Sequence, residues 1–209
     1  RVCGRVMKSI IPLFVGTYTE RLGHVNGHGP GIVPCSLDPN TGEIRVTGEA
    51  VLVRNPAYLW RNAKGGRLYV ACEIYDFNGK ADGCITTLAV DRTDGSLKRL
   101  RDDSSAGRGP ARVCGDRSGN WLLVANYVEG NVAVFPLAPD GTPGPVTSAV
   151  RHSGSGPVPP RQDGPHPHDI LASQDNRHVY AADLGADMVQ GYCFDAQTGR
   201  LTASTAVSL

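Results

Sequence analysis

Three stretches of this 209-residue chain repeat one another at near-constant spacing, and a chain built of repeats has few folds open to it. Pro56-Ala57-Tyr58 leads to Leu68-Tyr69-Val70-Ala71, Pro110-Ala111-Arg112 to Leu122-Leu123-Val124-Ala125, and Pro167-His168-Asp169 to Val179-Tyr180-Ala181-Ala182. The prolines lie 54 and 57 residues apart. Between each proline and its apolar run stands a turn signal: Lys64-Gly65-Gly66, Ser118-Gly119-Asn120 and Gln174-Asp175-Asn176. A fourth copy without its front part begins at Leu13-Phe14-Val15-Gly16. Each apolar run is followed by a further alternating strand and a second tight turn, as at Asp38 to Gly42, Asp91 to Gly95, Pro139 to Gly141 and Asp195 to Gly199.

Each unit is therefore about four short strands joined by hairpin turns. The 26 glycines and 15 prolines leave little room for long helices. Four-stranded units repeating at roughly 50 residues predict an all-β chain, a β-propeller of four-stranded antiparallel blades. About four blades are expected over residues 10–209, the first lacking its inner strand, with residues 1–9 as an N-terminal extension and Met7 as a candidate start. A sandwich or meander barrel is the alternative, and it gives no reason for a proline-initiated strand to recur.

Composition narrows the function classes. A net charge of +1 without a dense Lys/Arg block argues against nucleic acid or a membrane surface as partner, and the apolar runs are only strand-sized. Six cysteines (Cys3, Cys35, Cys72, Cys84, Cys114 and Cys193) form no C-x-x-C pair, and most lie in apolar strand patterns, which suggests free thiols and a cytoplasmic protein. The basic residues near the N-terminus are not followed by a signal-peptide apolar region. Nucleotide-binding, zinc-protease and serine-hydrolase motifs are absent from the sequence, and no cofactor is expected.

Inner strands line a propeller's channel, so His168, at the head of the third inner strand, is a candidate general base with a side chain that titrates near neutrality. Capping of the strand is its other reading. His166, two residues earlier, could share a metal with it, but no third ligand is spaced to join them and no metal site is predicted. Arg161 and Gln162 stand in the Pro/Gly-rich loop that enters this strand, where an arginine can clamp a carboxylate or phosphate. Arg112 lies on an inner strand and needs either the channel or a partner for its charge. Glu73, Asn126, Tyr127 and Asp183 end the apolar runs of successive repeats and could form a polar wall or bond adjacent loops.

Phe14-Val15-Gly16-Thr17-Tyr18-Thr19, Asn55-Pro56-Ala57-Tyr58-Leu59, Leu123-Val124-Ala125-Asn126-Tyr127 and above all Arg161-Gln162-Asp163-Gly164-Pro165-His166-Pro167-His168 resemble the lactonase family of seven-bladed propellers. That family includes 6-phosphogluconolactonases and fungal carboxy-muconate cyclases. The resemblance implies a sugar-lactone hydrolase of the oxidative pentose phosphate route, with a muconate-type cyclase or a non-catalytic binding propeller as alternatives. It implies His168 as catalytic and an anionic sugar lactone as partner, with Arg161, Gln162, His166, Arg112, Asn126, Tyr127 and Glu73 as the candidate substrate-binding residues. Family members often carry histidine where Arg112 stands. The resemblance also implies about three further blades beyond Leu209, carrying an arginine and an acid, without which these 209 residues would be inactive.

Overall fold

A computed structural model describes residues 10–62 and 66–208; the N-terminal extension with Cys3 and Met7, most of the Lys64-Gly65-Gly66 turn, and Leu209 lie outside them. The first sheet is β1 (Ile11–Gly16), β4 (Ile32–Leu37) and β5 (Ile44–Val46), with a small hairpin, β2 (Arg21–Leu22) and β3 (Val25–Asn26), set into the connection between β1 and β4. Three four-stranded meanders follow: β6 (Pro56–Asn62), β7 (Arg67–Cys72), β8 (Cys84–Val90) and β9 (Leu97–Ser104); β10 (Pro110–Gly115), β11 (Trp121–Asn126), β12 (Asn131–Pro136) and β13 (Ser148–Arg151); β14 (Pro167–Ala172), β15 (His178–Asp183), β16 (Met188–Asp195) and β17 (Arg200–Ser208). All pairings are antiparallel. These are four propeller blades, the first without an inner strand, and no described helix is long and apolar enough to cross a membrane.

The period of two along a strand explains how the blades stack. On β7, Leu68, Val70 and Cys72 pack with Ile32, Val53 and Phe14 of blade 1, while Tyr69 and Ala71 pack with Val113, Leu122 and Val124 of blade 3. On β11 the odd positions, Trp121, Leu123 and Ala125, meet Ile170, Val179, Ala181, Tyr192 and Phe194 of blade 4. Each fully buried leucine or valine contributes about 1.5–3 kcal/mol, so these seams are the main source of stability. Polar ties cross them as well. Tyr69 Oη donates to the Gly141 carbonyl at 2.6 Å, Trp121 Nε1 to that of Ala196 at 2.9 Å, and Asn176 Nδ2 to Asp116 Oδ2 at 2.7 Å.

The recurring prolines open β6, β10 and β14, and β10 lies between the other two inner strands about a common axis. Proline cannot donate to a ladder and is tolerated at a strand's first position. Immediately after each proline the register slips by one residue: Pro56 faces Cys72 but Tyr58 faces Ala71, and the same shift follows Pro110 and Pro167. Ala57, Ala111 and His168 are the extra residues of these bulges. The turn chemistry is equally regular. In the β8–β9 turn the Asp91 carboxylate accepts the Thr93 N–H at 2.7 Å, and Gly95, at φ +74°, bonds back to the Asp91 carbonyl.

Candidate active site

The β1–β4 and β7–β8 connections and the heads of the inner strands meet at one end of the blades. There, Tyr18, His24, Glu73, Tyr75, Ala111, Tyr127, Arg161 and His168 line a cavity of about 170 Å³. Four of the residues expected from sequence, His168, Arg161, Tyr127 and Glu73, thus converge from blades 2 to 4. His168 reaches the cavity because the bulge at the head of β14 takes it out of the ladder.

Tyr127 is the hub. The His166 ring stacks on it at 4.5 Å between centroids and 11° between planes, His168 meets it edge-on at 5.7 Å, and the Arg161 guanidinium lies over it at 5.7 Å. His166 Nδ1 lies 2.9 Å from the Tyr127 carbonyl. Both expected histidines therefore touch Tyr127, but His166 is bound to it as support and does not line the cavity. Burial, with Glu73 among the opposing charges, raises the Tyr127 phenol despite Arg161; burial and Glu73 do the same to Tyr75, so both stay protonated donors. On the far side Tyr18 Oη donates a hydrogen bond to Glu73 Oε2, and His24 Nε2 lies 3.6 Å from Glu73 Oε1.

Gln162, expected to bind substrate, instead holds its own loop together. Its amide donates to the Leu184 carbonyl at 2.8 Å and to Asp187 Oδ1 at 3.2 Å, and its Oε1 accepts the Val158 N–H. Asn126 is fully buried and donates to the Ser105 carbonyl at 2.9 Å, tying the entry of β10 to the end of β11. Asp183, in the corresponding position of the next blade, is also sealed from solvent. One oxygen accepts the backbone N–H groups of His166 (2.7 Å) and Ala186 (2.9 Å), and the other lies 2.6 Å from His152 Nδ1. His152 Nε2 is in turn 2.5 Å from Tyr192 Oη. This buried Tyr192–His152–Asp183 chain thus fixes the backbone that presents His168.

Arg112 is displaced from its expected role by a partner. Its Nε lies 3.0 Å from Asp169 Oδ1, an ion pair rather than an aligned hydrogen bond, and its guanidinium covers the Tyr58 ring at 3.9 Å. Tyr58, Arg112 and Asp169 follow the bulges of three adjacent inner strands, so the charge is neutralised along the axis and does not reach the cavity. Among the described residues no cluster of three or more His, Cys, Asp or Glu side chains could hold a metal.

Sequence reasoning missed Tyr18, His24 and Tyr75. Tyr18 lies within the Phe14-to-Thr19 stretch that carried part of the family resemblance, but His24 sits on a hairpin with no counterpart in the other blades and gave no periodic signal. A larger cleft of about 340 Å³ opens at the opposite ends of blades 1 and 2. There Asp91 and Asp94 accept backbone N–H groups of their own turns, and no histidine lines it.

Known proteins share this arrangement of blades. A 6-phosphogluconolactonase of Bacillus subtilis is 31% identical over 91% of the chain and 51% of its own length. The crystal structure of a candidate 6-phosphogluconolactonase from Bacteroides uniformis is 30% identical with a TM-score of 0.84, covering 97% of this chain and 55% of that one. The periplasmic gluconolactonase PpgL of Pseudomonas aeruginosa is 25% identical with a TM-score of 0.77, covering 96% of this chain and 69% of that one. The chain spans about half the length of the curated relatives it matches. The family model of the lactonase seven-bladed β-propellers matches residues 12–209, nearly the whole sequence, and the chain belongs to that family.

Proposed function

We propose that the protein opens a phosphorylated sugar δ-lactone, as a 6-phosphogluconolactonase of the oxidative pentose phosphate route, and that this chain carries part of its acid/base and anion-binding apparatus. The observation that carries the reading is the meeting of His168, Arg161 and two raised tyrosines in one cavity. Relatives named for this activity support it. His168 accepts the proton of the attacking water. Arg161 holds the substrate's anionic group, and Tyr75 and Tyr127 face the oxyanion that forms at the carbonyl carbon. Among the described residues Cys35, Cys72, Cys84 and Cys114 are buried free thiols, which agrees with a reducing compartment such as the cytoplasm.

Comparing kcat/KM of the full-length protein on 6-phosphogluconolactone, the unphosphorylated δ-lactone and carboxy-muconate tests the reading, and the first should be preferred. Preference for the muconate would place the protein with the cyclases. His168→Ala should lower kcat by about 10²- to 10⁴-fold with an unchanged thermal melt. Retention of kcat would return His168 to a strand-capping role.

A further inference from the structure

Hydrolysis of a lactone requires two proton transfers: water must lose a proton as it attacks, and the ring oxygen must gain one as it leaves. The cavity holds two imidazoles in contrasting surroundings. His168 touches the edge of Tyr127, and the neighbouring carboxylate of Asp169 is engaged by Arg112. His24 instead faces a carboxylate. Glu73, with its side chain only 10% exposed, has Oε2 occupied by the Tyr18 hydroxyl and Oε1 turned to His24 Nε2, its one ion-pair partner among the described residues.

The hairpin that delivers His24 is firmly seated. Gly27 and Gly29 N–H groups bond the Glu20 and Tyr18 carbonyls, and the N–H groups of Thr19 and Glu20 share Asn55 Oδ1 at 3.1 and 2.9 Å. The Tyr18 ring stands edge-on to the imidazole, 6.1 Å away. A cation at His24 would have a buried counter-charge and aromatic packing, while its side chain, 52% exposed, remains open to the cavity and to solvent. His24, beside a carboxylate, and His168, against an aromatic edge, thus face the same cavity from different elements, as a proton donor and a proton acceptor acting on one substrate must.

We propose that His24 is a second catalytic residue, the general acid of lactone opening, with Glu73 and Tyr18 as its positioning residues. The proposal rests on the lactone-hydrolase reading of the same cavity. Water adds to the carbonyl carbon while His168 takes its proton. The tetrahedral adduct collapses by breaking the bond between the carbonyl carbon and the ring oxygen, and the His24 imidazolium gives its proton to that oxygen. The products are the open-chain acid and a free hydroxyl, and solvent returns the proton from His168 to His24.

The test compares the phosphorylated δ-lactone with its thiolactone, whose ring sulfur departs as a thiolate without needing a proton, in the full-length protein. His24→Ala should lower kcat on the oxygen lactone by about 10²-fold or more and on the thiolactone by less than about tenfold, whereas His168→Ala should lower both. Added imidazole should restore part of the oxygen-lactone rate to His24→Ala. Glu73→Gln should reproduce the His24→Ala pattern more weakly, without loss of thermal stability beyond that of a surface change. Equal loss of both substrates in His24→Ala, or no loss of either, would overturn the acid role while leaving the lactonase reading intact. A wild-type protein that opens neither lactone would overturn that reading, and the proposal with it.

Discussion

The seam between blades 3 and 4 and the outer face of blade 4 are made by the same strands, yet they differ in kind. Toward blade 3, β15 presents Val179 and Ala181 with no exposure, and Asp183 is sealed among hydrogen-bond donors. Toward the other side, Tyr180 and its cross-strand partner Leu171 are 41% and 44% exposed. On β11, which has a blade on each side, every residue is buried. Residue type alone therefore does not set the stability of a position in this fold: the same aromatic and aliphatic alternation stabilises only where a neighbouring sheet covers it.

The largest contrast is expected at Asp183. Asp183→Ala would leave the buried His152 Nδ1 without its carboxylate partner and free the N–H groups of His166 and Ala186, at a cost of about 3–5 kcal/mol in denaturant unfolding. In the full-length protein it should also lower turnover by loosening the backbone before His168. Leu123→Ala, a pure packing change in the same seam, should cost about 2–5 kcal/mol, the value depending on how far the seam collapses. A loss as small as that of an exposed residue would show that the two sheets can separate readily.

Acid should act on the same seam. Burial alone would raise Asp183 and Asp116, but hydrogen bonds from His152 and two backbone N–H groups to the first, and from Ser118, Asn176 and Trp121 to the second, outweigh it and hold both below the ordinary carboxylate value. Their contribution is therefore complete above about pH 4 and is lost as pH falls through the lower folded-state values. Amide exchange monitored through acidification should show blades 3 and 4 losing protection at their shared seam, and Asp116→Asn should flatten that dependence. The smallest effect belongs to the open face: Leu171→Ser should change stability by no more than about 0.5 kcal/mol in this chain. A large loss there would mean that the face is covered in solution.

The blades were legible in the sequence because Pro56, Pro110 and Pro167 mark strand openings and the Asp-to-Gly turns close the hairpins, features that depend only on local backbone chemistry. His168 and Arg161 were legible through a contiguous motif. For Asn126 and Asp183 the sequence left a polar wall and bonds to adjacent loops both open, because a polar residue at a strand end looks the same whether it faces a cavity or a neighbouring carbonyl, and Gln162 in its loop gave no sign that its amide would be used within that loop. For Arg112 the choice between channel and partner stayed open for a related reason: Asp169 is 57 residues away and is brought beside it only by the packing of adjacent inner strands. His24 could not be seen at all, since an insertion outside the repeat carries no period to read.

The bulge at the head of each inner strand has a consequence for how this scaffold can change. Because the extra residue is unpaired, its side chain can be exchanged without disturbing a cross-strand neighbour, and the ladder resumes in register one residue later. Two of these sockets already open on the cavity: one holds His168, and the next blade's holds only the methyl group of Ala111. Ala57 occupies the equivalent socket one blade further round. New substrate preferences could thus be written one blade at a time, by filling a vacant socket rather than rebuilding a strand.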